Sequence, residues 1–138
     1  MPKLERLSIS LAEPLLAKLA ALVKESGYRN RSEFIRDLVR DRLVSKQWEK
    51  GEEALGTVTL VYNHNARKLA ARLTGLQHHH HHAILATTHV HLSHDICAEM
   101  IMIRGRAGDI RRIADQMRQQ KGVLHVELSM SSTGEKLA

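Results

Sequence analysis

The chain is short of the residues that fill a large core or staple a small one. Its 138 residues include one tryptophan, two tyrosines and one phenylalanine, so aromatics make up only 3%. A chain this short, with so few large side chains, has trouble building a deep core alone, and oligomerisation is the usual remedy. The single cysteine, Cys97, excludes an intramolecular disulfide framework and points to a reducing, cytoplasmic setting. No apolar run approaches the roughly 18 residues of a membrane span. Met1-Pro2-Lys3-Leu4-Glu5 does not have the pattern of a signal peptide.

What is present is the composition of a folded domain: 43% hydrophobic and 26% charged residues. Lys and Arg number 21 against 15 Asp and Glu, giving +6, a balance compatible with nucleic acid. Histidine is abundant at 10 residues, with an unbroken run from His78 to His82.

The charged stretch Ser45-Lys46-Gln47-Trp48-Glu49-Lys50-Gly51-Glu52-Glu53 lacks apolar periodicity and divides the chain into modules 1–50 and 51–138. The first opens with Leu7, Ile9 and Leu11 alternating with Arg6, Ser8 and Ser10, the period of a half-buried strand. Pro14 fits the first turn of a helix carrying Leu15, Leu19, Leu22 and Val23 on one face, and Gly27 supplies its stop. Asn30-Arg31-Ser32-Glu33 reads as a capping box, and Ile35, Leu38 and Val39 carry a second helix towards Leu43.

One strand cannot satisfy its own ladder, and this module has no second strand. Two copies pairing antiparallel through residues 5–11 solve the problem. Arg6, Ser8 and Ser10 of both chains then form a polar ribbon of the width and chemistry that enters the DNA major groove. The capped helix start, Asn30, Arg31 and Ser32, offers free N–H groups and positive charge to phosphate. Strand, Gly27 turn and Asn30-Arg31-Ser32-Glu33 start together resemble the ribbon-helix-helix family of bacterial repressors and antitoxins.

The second module reads as strand 56–63, a short helix over 65–74, strands 83–92 and 96–104, a helix near 107–120 ending at Gly122, and a strand in which Val123, His125 and Glu127 alternate with Leu124, Val126 and Leu128. The order βαββαβ predicts a ferredoxin-like sheet with both helices on one face, the other face needing a cover such as another subunit. The chain is thus α+β.

His89 and His91, at i and i+2 on a strand, leave the same face. A three-residue Ser93-His94-Asp95 loop sets Leu92 opposite Ile96, which pairs His91 with Cys97 and His89 with Glu99. Two imidazoles and a thiol then share one face beside a carboxylate, a three-ligand set suited to nickel, copper or zinc. The histidine run just before this strand can supply a fourth donor, from the same chain or another. A hydrolytic zinc site would keep an open position and use Glu99 as base, but no His-Glu-x-x-His helix and no substrate-pocket residues accompany it. His64 and His125 read as ordinary histidines near strands, and His94 as solvated.

Gln77-His78-His79-His80-His81, His89-Val90-His91 and Cys97, behind a ribbon-helix-helix start, resemble the nickel-responsive transcriptional regulator family, NikR, over essentially the whole chain. The resemblance implies a C-terminal ACT-type domain at the centre of a tetramer, a dimer of dimers. It implies one nickel(II) per chain, square-planar, on His89, His91 and Cys97 of one subunit and His78 of another. It also implies Glu99 and Tyr62 beside the ligands and Arg6, Ser8 and Ser10 at base edges of an operator. Glu33 and Asp37 would hold a cation near bound DNA. The function implied is a cytoplasmic, non-enzymatic repressor, acting on nickel uptake genes through a palindromic operator. A metal-indifferent ribbon-helix-helix repressor or antitoxin is the main alternative, and a metal-dependent hydrolase with a dimerising domain the other.

Overall fold

The computed structural model describes residues 2–138; Met1, which opens the N-terminal stretch considered above, lies outside the described residues. Two compact units emerge, one of residues up to 43 with 137–138, the other of residues 44–136.

In the first unit, helix α1 spans Glu13–Glu25, with Pro14 in its first turn, where a missing N–H costs nothing. It stops at Gly27, whose φ of +73° is open to glycine without penalty. The Ser26, Gly27 and Tyr28 N–H groups close the end onto the carbonyls of Leu22, Lys24 and Val23. Helix α2, Arg31–Glu49, starts as its sequence predicts, with Asn30 Oδ1 accepting the Glu33 N–H at 3.0 Å. Tyr28 stacks edge-on against Phe34 and donates its hydroxyl to Asp37 Oδ2 at 2.5 Å, the main reason its phenol pKa is raised.

The single chain differs from the paired arrangement in one respect, and helix α2 from its expected end in another. Residues 2–12 form no strand in the single chain, and Leu7 and Ile9 stand 80% and 56% exposed. The alternation of residues 5–11 has no ladder to join within one copy, so nothing offsets the entropy of fixing it. Secondly, the charged stretch 45–53 is not a linker over its whole length. Helix α2 continues through Glu49, and Trp48 is only 4% exposed, its indole N–H donating to the Ser131 carbonyl at 2.8 Å. Arg111 lies over the same indole ring. The turn out of the helix falls at Gly51, at φ +70°.

The second unit runs β1 Glu53–Asn63, α3 Leu69–His79, β2 Ile84–His91, β3 Ile96–Arg106, α4 Ala107–Arg118 and β4 Val123–Ser131. Its four strands lie in the order β2-β3-β1-β4, every neighbouring pair antiparallel. This is the ferredoxin-like βαββαβ arrangement expected from the element order. Ala54, Val58, Leu60 and Tyr62 of β1 face the helices with Cys97, Ile101 and Ile103 of β3 and Val126 of β4. Leu69 and Leu73 of α3 and Ile110, Ile113, Ala114 and Met117 of α4 cover them. Gly56 lets α4 approach this closely, since a Cβ there would sit 2.7 Å from Ile110 Cγ2. On the opposite face Val90, Met100 and Met102 are exposed.

Helix α3 begins four residues later than residues 65–74 predict and ends five later, taking in His78 and His79. The chain between Asn63 and Lys68 is spent on turns: Asn63 Oδ1 accepts the Asn65 N–H, and Lys68 stands left-handed at φ +60°. The helix then extends far enough to pack Leu69, Leu73 and Leu76 on the sheet.

Candidate metal centre

The β2–β3 hairpin turns through Ser93, His94 and Asp95. The Leu92 N–H donates to the Ile96 carbonyl at 2.8 Å, and the Ser93 N–H shares that carbonyl at 3.2 Å. The register is the one a three-residue loop implies: His91 opposite Cys97, and His89 opposite Glu99. Because side chains alternate along a strand, all four stand on the face covered by the helices.

Cys97 is fully buried, and its Sγ lies 3.2 Å from His91 Nδ1. On its other side, 3.4 Å away, is His64 Nδ1. Among the described residues, the ligand atoms of His64, His91 and Cys97 lie within 4.8 Å of one another. His64 enters because β1 pairs with β3 so that Tyr62 faces Cys97, leaving residue 64 just beyond it. Its loop is pinned to the hairpin: the His64 N–H donates to the Asp95 carbonyl at 2.7 Å, and Asn65 Nδ2 to Asp95 Oδ1 at 2.5 Å. Reading His64 as an ordinary histidine therefore misses a neighbour of the thiol. The signal needed was the β1–β3 register, which no local spacing contains.

His89 faces a different partner. Its Nδ1 stands 3.4 Å from Glu99 Oε1. That nearly buried carboxylate also accepts the Tyr62 hydroxyl at 3.1 Å and Gln77 Nε2 at 2.8 Å. The Thr87 hydroxyl donates in turn to Gln77 Oε1 at 2.9 Å, so α3, β2 and β3 share one polar network. Burial, then the negative charge of Glu99, pushes the Tyr62 phenol well above its ordinary value.

His78 is exposed on the last turn of α3 and lies outside the cluster formed in one chain. The histidine run is not a free loop: its first two residues are helical, and His80 Nε2 meets Gln116 Oε1 at 3.0 Å. His94 and His125 are exposed, with Asp95 and Glu127 beside them.

In the first unit, Arg6, Ser8 and Ser10 are exposed in the segment without regular structure. Arg31 and Ser32 are exposed in the first turn of α2, where Asn30 occupies one of the free N–H groups. Glu33 and Asp37 are half-buried, and Asp37 already accepts from Tyr28 and pairs with Arg40 at 3.4 Å.

The donor chemistry fits a divalent transition metal. A buried thiol between imidazoles is a borderline-soft set, and a carboxylate beside an imidazole, as Glu99 is beside His89, is the kind of group that orients histidines at metal sites. Together the two units have the parts of a DNA-binding, metal-sensing regulator. Residues 5–46 match the ribbon-helix-helix protein family of the copG type, and residues 55–131 match the NikR C terminal nickel binding domain. Proteins assigned as nickel-responsive regulators are 48% identical in Solibacter usitatus, over 99% of both chains, and 44% identical in Pyrococcus abyssi, over 97% of this chain and 98% of that one. One from Geobacter sp. strain M21 is 49% identical over 96% of each. An uncharacterized protein from Thermotoga maritima shares the fold of the second unit, with a TM-score of 0.52 at 16% identity, over 57% of this chain and 98% of that one. The chain belongs to the nickel-responsive regulator family and is a regulator, not an enzyme. No helix among the described residues is long and apolar enough to cross a membrane.

Proposed function

We propose that the protein is a cytoplasmic, nickel-responsive repressor that binds a palindromic operator, as a dimer of dimers, at genes for nickel uptake. The observation that carries the reading is the hairpin register, which sets His89 and His91 on the same sheet face as the buried Cys97. The metal would be held by His89, His91 and Cys97, one nickel(II) per chain, with His78 of the partner subunit as fourth donor. Bound there, it would supply an electrophilic centre to those donors.

The chain's own residues do the rest. Glu99, 3.4 Å from His89 Nδ1, would orient that ring, while Gln77 ties the last turn of α3, which carries His78, to the same carboxylate. Helix α3 is therefore the element whose order the site biases. Outside the second unit, Arg6, Ser8 and Ser10 of two paired chains would read base edges, and Asn30, Arg31 and Ser32 would seat the helix start on phosphate. Glu33 and Asp37 would hold a cation near the DNA. Such a switch acts only through a difference in metal affinity between two arrangements of the subunits.

The test is a DNA titration with and without nickel, on operator and random sequence. The parent should gain operator affinity with nickel, and His89→Ala should not, while both keep salt-sensitive binding to random DNA. Operator binding that nickel leaves unchanged in the parent would return the protein to a metal-indifferent ribbon-helix-helix repressor.

A further inference from the structure

We infer that His80, in the middle of the histidine run, is a positioning residue and not a ligand: through Gln116 of α4 it holds the last turn of α3, and with it His78, on a helix that Gly75 keeps weak. The inference rests on the nickel reading above for the role of His78, and on the helix itself for everything else.

The five histidines are not alike. His78, His79, His81 and His82 are exposed, whereas His80 is half-buried. Its Nε2 stands 3.0 Å from Gln116 Oε1, and an amide oxygen only accepts, so the imidazole N–H is the donor. The His80 backbone N–H also closes the helix, onto the Gln77 carbonyl at 3.1 Å and the Leu76 carbonyl at 3.3 Å. Both ends of α3 are fastened to one short stretch of chain. One turn into the helix, Arg72 Nε donates to Gln120 Oε1 at 3.2 Å, and Gln120 Nε2 donates to the Gln116 carbonyl at 3.1 Å.

The helix needs these ties. Its 11 residues fall short of the roughly 12–15 at which an isolated helix becomes even marginally stable, and of its side chains only Leu69 and Leu73 are buried. Gly75 stands in its interior, where glycine disfavours the helix about fivefold relative to alanine. Nothing in the chain demands glycine there: a Cβ would meet no atom within 4 Å, and residue 75 is not left-handed. His78 lies two residues before His80, on the turn that frays first. A donor on a frayed turn lowers metal affinity by the fraction of time the turn is out of place.

The experiment uses full-length protein and two measurements. In the metal-free protein, amide exchange over residues 76–79 should accelerate about fivefold in His80→Ala, the worth of one neutral hydrogen bond. It should slow about fivefold in Gly75→Ala. The double variant should return to the rate of the parent, and so should His80→Gln, whose amide N–H reaches the same acceptor. Titration with nickel should rank the proteins in the same way, His80→Ala binding about fivefold more weakly and both the double variant and His80→Gln binding as the parent does. At saturating nickel every variant should show the thiolate-to-nickel absorption of the parent.

Exchange in His80→Ala that matches the parent would overturn the inference. So would a loss of nickel affinity that Gly75→Ala does not recover, since a stiffer helix cannot replace a missing ligand. The expected exchange rates in a parent that gives no nickel–thiolate band would instead sink the nickel reading and leave the tie between His80 and Gln116 standing.

Discussion

Gln77 Nε2 lies 2.8 Å from Glu99 Oε2, a bond between the last turn of α3 and the strand that carries Cys97. Glu99 is nearly buried, and His89 and Tyr62 lean on its other oxygen. A buried carboxylate with several donors is rigid, and removing one donor leaves part of its charge unmet. The network therefore links the imidazole of β2 to the helix that carries His78.

Gln77→Ala breaks that link without touching a proposed ligand. Nickel affinity should fall by about 10-fold, the lower end of what losing a metal-bound histidine's own partner costs, because Gln77 acts one step further out, through Glu99. Amide exchange across residues 69–79 should accelerate in the same variant while β1 and β3 stay protected. Parent-like nickel affinity would mean that the polar network merely packs.

Tyr62 gives the network a pH limit. Its phenol pKa is raised in the folded chain, so the stability it contributes is complete below about pH 10, the ordinary phenol value, and is lost as pH climbs toward the folded value. Tyr62→Phe should be less stable than the parent by about 1.5–3 kcal/mol at pH 8, the worth of a hydrogen bond to a charged acceptor. That gap should narrow above pH 10. Urea denaturation at pH 8 and at pH 10.5 and above measures it, and a gap that widens with pH contradicts the assignment.

How much of this could be read from residues alone depends on the range of the contact involved. The Asn30 cap, the Gly27 stop and the pairing of His91 with Cys97 are fixed within a few positions, so spacing reveals them. Trp48 is different. Its burial depends on a carbonyl at Ser131 and a guanidinium at Arg111, both far along the chain, and its own neighbourhood looks like a charged linker. His64 reaches Cys97 only through the β1–β3 register. The alternation of residues 5–11 is a property of the sequence with nothing to pair against in one copy.

Gly122 tests the same loop from below. It sits at φ +98°, and a Cβ there would fall 2.5 Å from the Ala66 Cβ and 2.9 Å from Leu69 Cδ2. Its carbonyl also accepts the Asn63 N–H at 3.1 Å. Gly122→Ala should cost about 1–3 kcal/mol from crowding alone, with backbone strain adding to it. Ala66→Gly in the same chain removes the nearest atom and should recover part of the loss. A double variant no more stable than Gly122→Ala would place the whole penalty in the backbone angle.

Arg6 separates base reading from simple charge attraction. It alternates with Leu7, Ile9 and Leu11, so pairing of two chains that buries those apolar side chains turns Arg6 outward with Ser8 and Ser10. Guanidinium bonded to a base edge discriminates between sequences by about 1–3 kcal/mol, whereas a phosphate contact weakens all sequences alike and lowers the salt slope by about one. Arg6→Ala should therefore lose operator affinity by that amount and bind random DNA nearly as the parent does. Its nickel–thiolate absorption and thermal unfolding should be unchanged, because residue 6 stands outside the core and the metal centre. Measuring both DNAs over a range of salt distinguishes the two roles. Equal losses on both, with a shallower salt slope, would make Arg6 a phosphate contact and leave the reading of sequence to Ser8 and Ser10.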